Sequence, residues 1–204
     1  MSSPTRWAGI PLKDRRAERR ALLVEAAYRL FGRGGEAAVS VRSVCRECGL
    51  NTRYFYESFG DTDDLLGAVY DRVSEQLGEV IEAAIEQAGD SLAARTRAGI
   101  AAVLGFSSAD PRRGRVLFTD ARTNPVLAVR RRATQDMLRE GVLTEGWRLN
   151  PASDPVAAEV AAALYTGAMA ELAQQWLAGH LGTDLDVVVD YALKLVLRSL
   201  GVRS

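Results

Sequence analysis

The sequence predicts an all-α protein, with an N-terminal three-helix domain and a C-terminal helical bundle that together contain about nine helices. Apolar residues recur with helical spacing along most of the 204 residues, and no stretch alternates apolar and polar residues as a strand would. Three prolines, at 111, 125 and 155, follow Asp or Asn where an apolar helical pattern begins, which marks helix starts. Glycines close several of the apolar runs, where they end helices.

The composition is that of a globular protein, with 48% hydrophobic and 25% charged residues. No apolar run approaches the ~20 residues of a membrane span, and the N-terminus lacks the apolar core of a signal peptide. Two cysteines predict no disulfide framework. We therefore expect a cytoplasmic protein that does not enter a membrane.

Charge is distributed unevenly along the chain. Residues 1–60 contain 11 Lys and Arg against 6 Asp and Glu, whereas the remaining residues contain 15 and 20. A basic head on an acidic body is the distribution expected of a nucleic-acid-binding head whose body stays away from phosphate.

The N-terminal residues 1–13 contain two prolines and a glycine and should form a flexible arm. The first helix should run from Asp14 to Phe31, because its apolar residues repeat with helical spacing at Leu23, Ala26, Ala27, Leu30 and Phe31. Its first turns carry four cations that the helix dipole disfavours: Arg15, Arg16, Arg19 and Arg20. These cations are either solvated or bind an outside anion, and the neighbouring motif favours the anion.

That motif occupies residues 40–59, as two short helices separated by a glycine turn. Ser40 can cap the first helix, Gly49 can end it, and Asn51 or Thr52 can cap the second. One face of the first helix is apolar and should be buried: Val41, Val44, Cys45 and Cys48. This layout is that of a DNA-binding helix-turn-helix, so we assign residues 14–60 to a DNA-binding domain.

Residues 61–204 should form the helical bundle. Its first helix starts at Asp61 and extends to about Ala88, long enough to connect the head to the body. Five more helices are predicted over residues 91–108, 111–122, 125–147, 155–178 and 184–200.

The last helix indicates how the chain assembles. Its charged residues fall four apart, at Asp186, Asp190, Lys194 and Arg198, and nearly all its other residues are apolar. A helix that is apolar over most of its circumference must be covered on more than one side. We expect a two-fold homodimer through residues 155–200. The alternative is a central helix inside a monomer.

The run from Leu22 to Val69 resembles the N-terminal domain of TetR-type bacterial transcriptional regulators. The resemblance lies in the segments AAYRLFGRGG, VSVRSVCRECGL, NTRYFYESF and DTDDLLGAV, and in the spacing of Phe31, Gly35, Ser40, Gly49, Tyr56, Phe59 and Leu65. It implies a homodimeric DNA-binding regulator, usually a repressor, that leaves a palindromic operator when a small molecule binds its C-terminal bundle.

The resemblance also implies a set of DNA-contacting residues: Arg42, Ser43, Thr52, Arg53, Tyr54, Tyr56, Ser58 and Thr62. Arginine can pair bidentately with guanine, and threonine can touch a thymine methyl group. Three positions depart from the family pattern: Ser58 replaces a His or Tyr, Thr62 replaces a Lys, and Glu36 replaces an apolar residue. We therefore expect weaker electrostatic binding of DNA phosphates around Thr62.

Seven residues are candidates for an effector site in the bundle: Phe106, Phe118, Met137, Trp147, Tyr165, Met169 and Trp176. Their spacings place most of them in the core, and a subset should line the apolar cavity that the resemblance implies. We expect the arginines at 112, 113, 115 and 130–132 to lie on solvated faces or in ion pairs rather than on DNA or an anionic ligand. No cofactor is expected.

Other classes of function find less support. Cys45 and Cys48 form a C-x-x-C pair, but a zinc site needs about four ligands and the only histidine is the distant His180. Core packing is the expected role of this pair, and a redox-sensing regulator is the alternative. An enzyme is not expected, because no convergent catalytic set can be assembled. An all-α protein-interaction module is a further alternative.

Overall fold

A computed structural model describes residues 12–119, 124–149, 151–152 and 154–199. Within these residues it contains nine α-helices and no strand, so the predicted all-α class is confirmed. The helices are α1 (Leu12–Gly34), α2 (Val41–Cys48), α3 (Thr52–Tyr56), α4 (Thr62–Gln87), α5 (Leu92–Ala109), α6 (Pro111–Gly114), α7 (Pro125–Leu149), α8 (Pro155–Leu177) and α9 (Leu185–Ser199).

The chain divides into two compact units, unit 1 (Met1–Val69) and unit 2 (Tyr70–Ser204). The long helix α4 begins in unit 1 and continues into unit 2. The predicted domain limits, with a boundary after residue 60, remain a prediction.

Three local features differ from the sequence expectation. Helix α1 begins at Leu12, inside the predicted arm, whose residues 1–11 lie outside the described residues. A 3-10 turn at Glu36–Ala38 was not expected. The helix predicted over residues 111–122 ends at Gly114 and is followed by a π-helical turn, Arg115–Thr119, and residues 120–122 lie outside the described residues. Gly114 lets the chain approach α8 closely at this point, since an added Cβ would lie 2.4 Å from Leu177 Cδ1.

Unit 1 is organised around the predicted apolar face of α1. Leu23, Ala26 and Ala27 on this face are fully buried, and α1 contacts both α2 and α3. Phe55 of α3 and Phe59 just after it are also buried, with their ring centroids 5.9 Å apart. Burial of this apolar area is the main stabilising contribution to the unit.

An ion-pair clamp fixes α2 against α1. The Glu47 carboxylate lies 2.9 Å from Arg33 Nη2 and 3.2 Å from Arg29 Nε. The hydrogen bond from Arg33, aided by the charge of both arginines, lowers the pKa of Glu47 below its ordinary value. These ion pairs join α1 and α2 in addition to the apolar contact between the two helices.

The core of unit 2 lies between α5, α8 and α9. It consists of Ile100, Leu104, Met169, Ala173, Val188 and Val189. Arg97 of α5 binds the carboxylates of Asp186 and Asp190 at 2.9 and 3.2 Å. The acidic half of the charged stripe on α9 therefore faces α5. Val188 and Val189 of α9 lie in the core, whereas Val187, Tyr191 and Leu195 of the same helix are exposed.

Candidate nucleic-acid interface

The start of α2 is held by a reciprocal cap between two serines. Ser40 Oγ accepts a hydrogen bond from the Ser43 backbone N at 3.1 Å, and the Ser40 backbone N donates to Ser43 Oγ at 2.9 Å. Two backbone donors that would otherwise lack partners are satisfied in this way, as in a capping box. The cap thus sets the direction in which α2 leaves the preceding turn.

The turn between α2 and α3 depends on Gly49, which adopts the left-handed conformation with φ of +70°. The Leu50 backbone N donates to the carbonyl of Cys45 at 3.0 Å, which closes the end of α2. Asn51 Oδ1 then accepts from the Tyr54 backbone N at 3.3 Å and caps α3. Both ends of the turn are therefore fixed by local hydrogen bonds.

Helix α3 has one buried and one open face. Phe55 is completely buried and packs edge-on against Tyr56, with ring centroids 5.4 Å apart. Thr52, Arg53 and Tyr56 are exposed, and 83% of the Arg53 side chain is accessible. The structure brings these three predicted residues together on one accessible surface, which we call the α3 face.

Helix α2 adds exposed cations. Arg42, a predicted contact, and Arg46, one turn further along, are both exposed. The sequence analysis did not include Arg46, although its spacing of four residues from Arg42 was the available signal, since such residues share one side of a helix.

The other predicted contacts are less accessible. Tyr54 is half-buried beneath Arg19, whose guanidinium carbon lies 4.6 Å from the ring centroid. Ser43 is half-buried, and its hydroxyl donates to the Ala38 carbonyl at 2.8 Å. Ser58 Oγ is buried and has no hydrogen-bond partner among the described residues. Contact of these residues with DNA remains a prediction.

The arginines at the start of α1 have partners inside unit 1. Arg16 Nη2 donates to the backbone carbonyl of Glu57, Arg19 Nη2 lies 3.6 Å from its carboxylate, and the Arg20 guanidinium lies 4.8 Å from the Phe59 ring centroid. The binding of an outside anion by these cations stays a prediction. Arg16 and Arg19 also contact Glu57 at the end of α3, which the sequence did not indicate.

The start of α4 is acidic, as expected. Asp61 Oδ1 accepts from the Asp64 backbone N at 2.8 Å, and Asp64 Oδ2 accepts from the Gly60 backbone N at 3.2 Å. Both carboxylates suit the positive end of the helix dipole. Thr62, half-buried at the first position of α4, is therefore surrounded by negative charge.

The two cysteines fit a packing role. Cys45 is buried, and burial, followed by the nearby Cys48, raises the pKa of its thiol. Cys48 is half-buried and lies 3.2 Å from the Val44 carbonyl, to which its thiol donates. A thiol with a raised pKa is a poor nucleophile and a poor metal ligand. No cluster of three or more potential metal ligands occurs in the part of the chain that the structure describes.

In unit 2, four of the seven predicted effector residues belong to or pack against the core between α5, α8 and α9: Phe118, Tyr165, Met169 and Trp176. Burial raises the pKa of Tyr165 to about 12. Phe106 is buried separately, under the Arg113 guanidinium at 4.2 Å from its centroid. Met137 and Trp147 are 55% and 44% exposed on α7, away from that core. The assignment of all seven to an effector site remains a prediction.

A cleft of about 460 Å³ lies nearby between α6 and the C-terminal end of α8. It is lined by Pro111, Arg115, Gln174, Gln175, Leu177 and Ala178. None of the seven predicted effector residues lines this cleft, because it opens beside the core rather than within it.

Apolar side chains lie exposed on the last two helices, with a spacing of four residues. They are Val156, Val160 and Leu164 on α8, and Val187, Tyr191 and Leu195 on α9. We call this the α8–α9 surface. Among the described residues, α8 is also the one helix that is long and apolar enough to cross a membrane, judged by length and composition. Only 11% of its most apolar 18-residue stretch is buried.

Comparison with known proteins identifies the N-terminal helices. Residues 23–69 match the family model described as bacterial regulatory proteins, tetR family. This segment belongs to the TetR family. The resemblance seen in the sequence is thereby confirmed, and the TetR-type segment contains the second half of α1, all of α2 and α3, and the start of α4.

Two curated relatives match over part of the chain. An HTH-type transcriptional repressor of Mycobacterium tuberculosis is 33% identical over 87 residues, which cover 38% of this chain and 46% of that protein. The HTH-type transcriptional regulator BetI of Brucella canis is 34% identical over 70 residues, covering 34% and 35%. The match therefore spans less than half the length of these relatives.

Solved structures resemble the whole fold. A transcriptional regulator from Rhodococcus sp. RHA1 aligns with a TM-score of 0.72 and 21% identity, covering 88% of this chain and 96% of its own. FadR from Bacillus subtilis, solved in complex with stearoyl-CoA, aligns with a TM-score of 0.70 and 18% identity, covering 88% and 98%. At this identity the likeness shows the shared all-α fold.

Proposed function

We propose that this protein is a sequence-specific DNA-binding transcriptional regulator, a repressor that leaves its operator when a small molecule binds unit 2. The observation that carries the proposal is the α3 face. A short helix, capped at its start and anchored by Phe55, presents Thr52, Arg53 and Tyr56 to solvent. These residue types recognise base edges in the major groove and the phosphates of the DNA backbone that borders it.

Each residue of the α3 face has a distinct chemical role. Arg53 donates two hydrogen bonds to a guanine, Thr52 contacts a thymine methyl group or accepts a bond, and the Tyr56 hydroxyl donates to a phosphate. Arg42 and Arg46 of α2 add positive charge for the DNA backbone. A bidentate arginine–guanine pair is worth ~1–3 kcal/mol of discrimination, and a dimer forms it twice.

Binding assays on an operator recovered by selection from a random duplex pool test this function. We expect an inverted repeat to be enriched, and Arg53→Gln to weaken its binding by about 5- to 150-fold per half-site. Arg132→Gln, which removes an exposed arginine from α7, is the matched control and should bind normally. Failure of the wild-type protein to enrich any duplex would exclude the proposal.

The proposal includes a homodimer built on the α8–α9 surface. Arg97 holds the acidic side of α9 toward α5, so Val187, Tyr191 and Leu195 remain uncovered. Exposed alanine and glycine on α8, among them Ala163 and Gly167, permit close helix approach. Burying each large side chain would contribute ~1.5–3 kcal/mol before the cost of association.

Light scattering after size exclusion tests the dimer. The wild-type protein should elute as a dimer, and Leu164→Glu should yield monomer, because a charge cannot be buried unpaired in an apolar interface. Leu22→Glu is the matched control, since Leu22 is exposed on α1 in unit 1. A monomeric wild-type protein at micromolar concentration would exclude the dimer, and sedimentation with lipid vesicles would indicate a membrane role for α8 instead.

The proposed effector is a small molecule with a large apolar part, bound among Phe118, Tyr165, Met169 and Trp176 of unit 2. Support comes from the three aromatic rings and the apolar methionine in this set, and from a fold neighbour whose structure contains stearoyl-CoA. Helix α4 belongs to both units. A ligand that changes the packing of α4 in unit 2 can therefore affect unit 1 through the same continuous helix. Such control of DNA in a bacterial cell places the protein in the cytoplasm.

Linkage provides the test of this allosteric step. If the effector lowers operator affinity by some factor, the operator must lower effector affinity by the same factor. A panel of apolar carboxylates and acyl-CoA thioesters, stearoyl-CoA included, can be titrated with and without operator. Binding of a panel member with equal affinity in both titrations would contradict this mechanism.

A further inference from the structure

Glu57 connects α1 with α3, although the proposed DNA contacts do not include it. It follows the last residue of α3, and its carboxylate lies 3.0 Å from Arg53 Nε and 3.6 Å from Arg19 Nη2. Its backbone carbonyl accepts a hydrogen bond from Arg16. Three arginines from two helices therefore converge on one acidic residue.

The two arginine side chains of this arrangement differ in exposure. Arg19 is mostly buried, since 24% of its side chain is accessible, and its guanidinium also stacks on the Tyr54 ring at 4.6 Å. Arg53 is 83% accessible, and Glu57 is its ion-pair partner. Arg19 thus ties the Glu57 carboxylate to α1, and this carboxylate holds one side of the exposed Arg53 guanidinium.

The geometry of the bond leaves Arg53 able to bind DNA. The bond to Glu57 uses Nε, so the two terminal guanidinium nitrogens remain available to an outside acceptor. These nitrogens can bind guanine O6 and N7 together. We infer that Glu57 is a positioning residue that orders Arg53 for base recognition and keeps it from binding phosphates indiscriminately; this inference rests on the proposed function.

Both effects follow from general physical chemistry. A long side chain that is ordered before binding loses less conformational entropy in the complex. A carboxylate beside the arginine also repels DNA phosphates, so it weakens sequence-independent binding, which depends on cation–phosphate contacts. Operator binding gains from the first effect, and binding to other DNA is reduced by the second.

Glu57→Gln tests the inference through the ratio of operator affinity to affinity for a random-sequence duplex. Ordering one side chain corresponds to roughly 2- to 12-fold per half-site, so the ratio for a dimer should fall by about 5- to 150-fold. Binding to the random duplex should tighten, and its logarithmic salt slope should steepen by up to about 0.9 per protomer.

Two comparisons separate positioning from simple loss of structure. Glu47→Gln also removes one carboxylate that pairs with two arginines of unit 1, but these are Arg29 and Arg33 of α1, and we expect an unchanged ratio. In an Arg53→Gln background, Glu57→Gln should have little further effect on the ratio, because it acts through Arg53.

The possible failures can be told apart. If the wild-type protein enriches no operator, both the proposed function and this inference fail. If an operator is found but Glu57→Gln leaves the ratio unchanged, weakens both duplexes equally, or acts as strongly without Arg53, the inference is wrong and the proposed function stands.

Discussion

Units 1 and 2 use similar helices in different ways. In unit 1 the residues that shape the candidate site are close in sequence, and each short helix is capped, turned and anchored within about twenty residues. In unit 2 the core joins α5, α8 and α9, which lie far apart in the chain. Local order therefore presents the DNA face in unit 1, whereas long-range packing would create the effector site in unit 2.

The largest expected effect tests how far unit 1 depends on one anchor. Phe55 is fully buried, so Phe55→Ala should lower the free energy of unfolding by ~3–5 kcal/mol. Met137→Ala in unit 2 removes a side chain that is 55% exposed and should change it by less than about 0.5 kcal/mol. Urea unfolding followed by circular dichroism measures both. Equal losses would show that burial does not distinguish these positions.

A smaller effect concerns the ion pairs that join α5 to α7 in unit 2. Glu145 binds Arg148 and Arg95, and the hydrogen bond from Arg148, with that from Arg95, lowers the pKa of Glu145 to about 2. Because the pKa of Glu145 in the folded protein lies below its ordinary value of 4.5, this stabilisation is complete above about pH 4.5 and is lost as the pH falls through about 2.

Glu145→Gln should therefore cost ~1–2 kcal/mol at pH 7, less than the full shift implies because 27% of the side chain is in solvent. The cost should vanish near pH 2. Glu159→Gln, which removes an exposed partner of Arg139, is the control and should cost less than about 1 kcal/mol. Unfolding free energies measured from pH 2 to 7 would reject this interpretation if the cost of Glu145→Gln did not depend on pH.

Two helix caps allow a direct comparison of the units. Ser40 of unit 1 takes part in a reciprocal pair, so Ser40→Ala should destabilise by ~1 kcal/mol. Ser91 caps α5 in unit 2 through a single bond of 3.4 Å, and Ser91→Ala should cost less. Thermal unfolding of both variants ranks the caps. A larger loss for Ser91→Ala would mean that cap geometry is not what matters.

The smallest expected effect concerns the acidic start of α4. Thr62→Lys places a cation beside Asp61 and Asp64 and should tighten operator binding modestly, with a salt slope steeper by up to about 0.9 per protomer. Thr144→Lys on the exposed side of α7 is the control and should leave the slope unchanged. Identical slopes for wild type and Thr62→Lys would show that no phosphate passes near Thr62.

Local signals explain which features could be predicted. The cap at Ser40, the turn at Gly49 and the buried face of α1 follow from residues within a few positions of one another, and all are present. The contact between Arg16 and Glu57 spans 41 positions and has no such signal. It is set by the packing of α1 on α3, which spacing does not reveal.

The sequence also did not reveal which side chains are already hydrogen-bonded and which are exposed. The DNA contact of Ser43 stays a prediction, and the sequence did not show that the serine cap and the Ala38 carbonyl engage its hydroxyl. Most of the seven effector candidates were expected in the core, but Met137 and Trp147 are exposed, because α7 has no single apolar side to orient them. Large apolar residues predict burial on average, and an isolated one on a mixed helix is often exposed.

A repeated selection from random duplexes, with wild type and Arg53→Gln in parallel, tests most directly whether the α3 face reads sequence. The wild-type protein should enrich an inverted repeat, and the variant should lose base preference at one symmetric position in each half-site while keeping the others. An identical set of preferences for the two proteins would contradict base reading by Arg53.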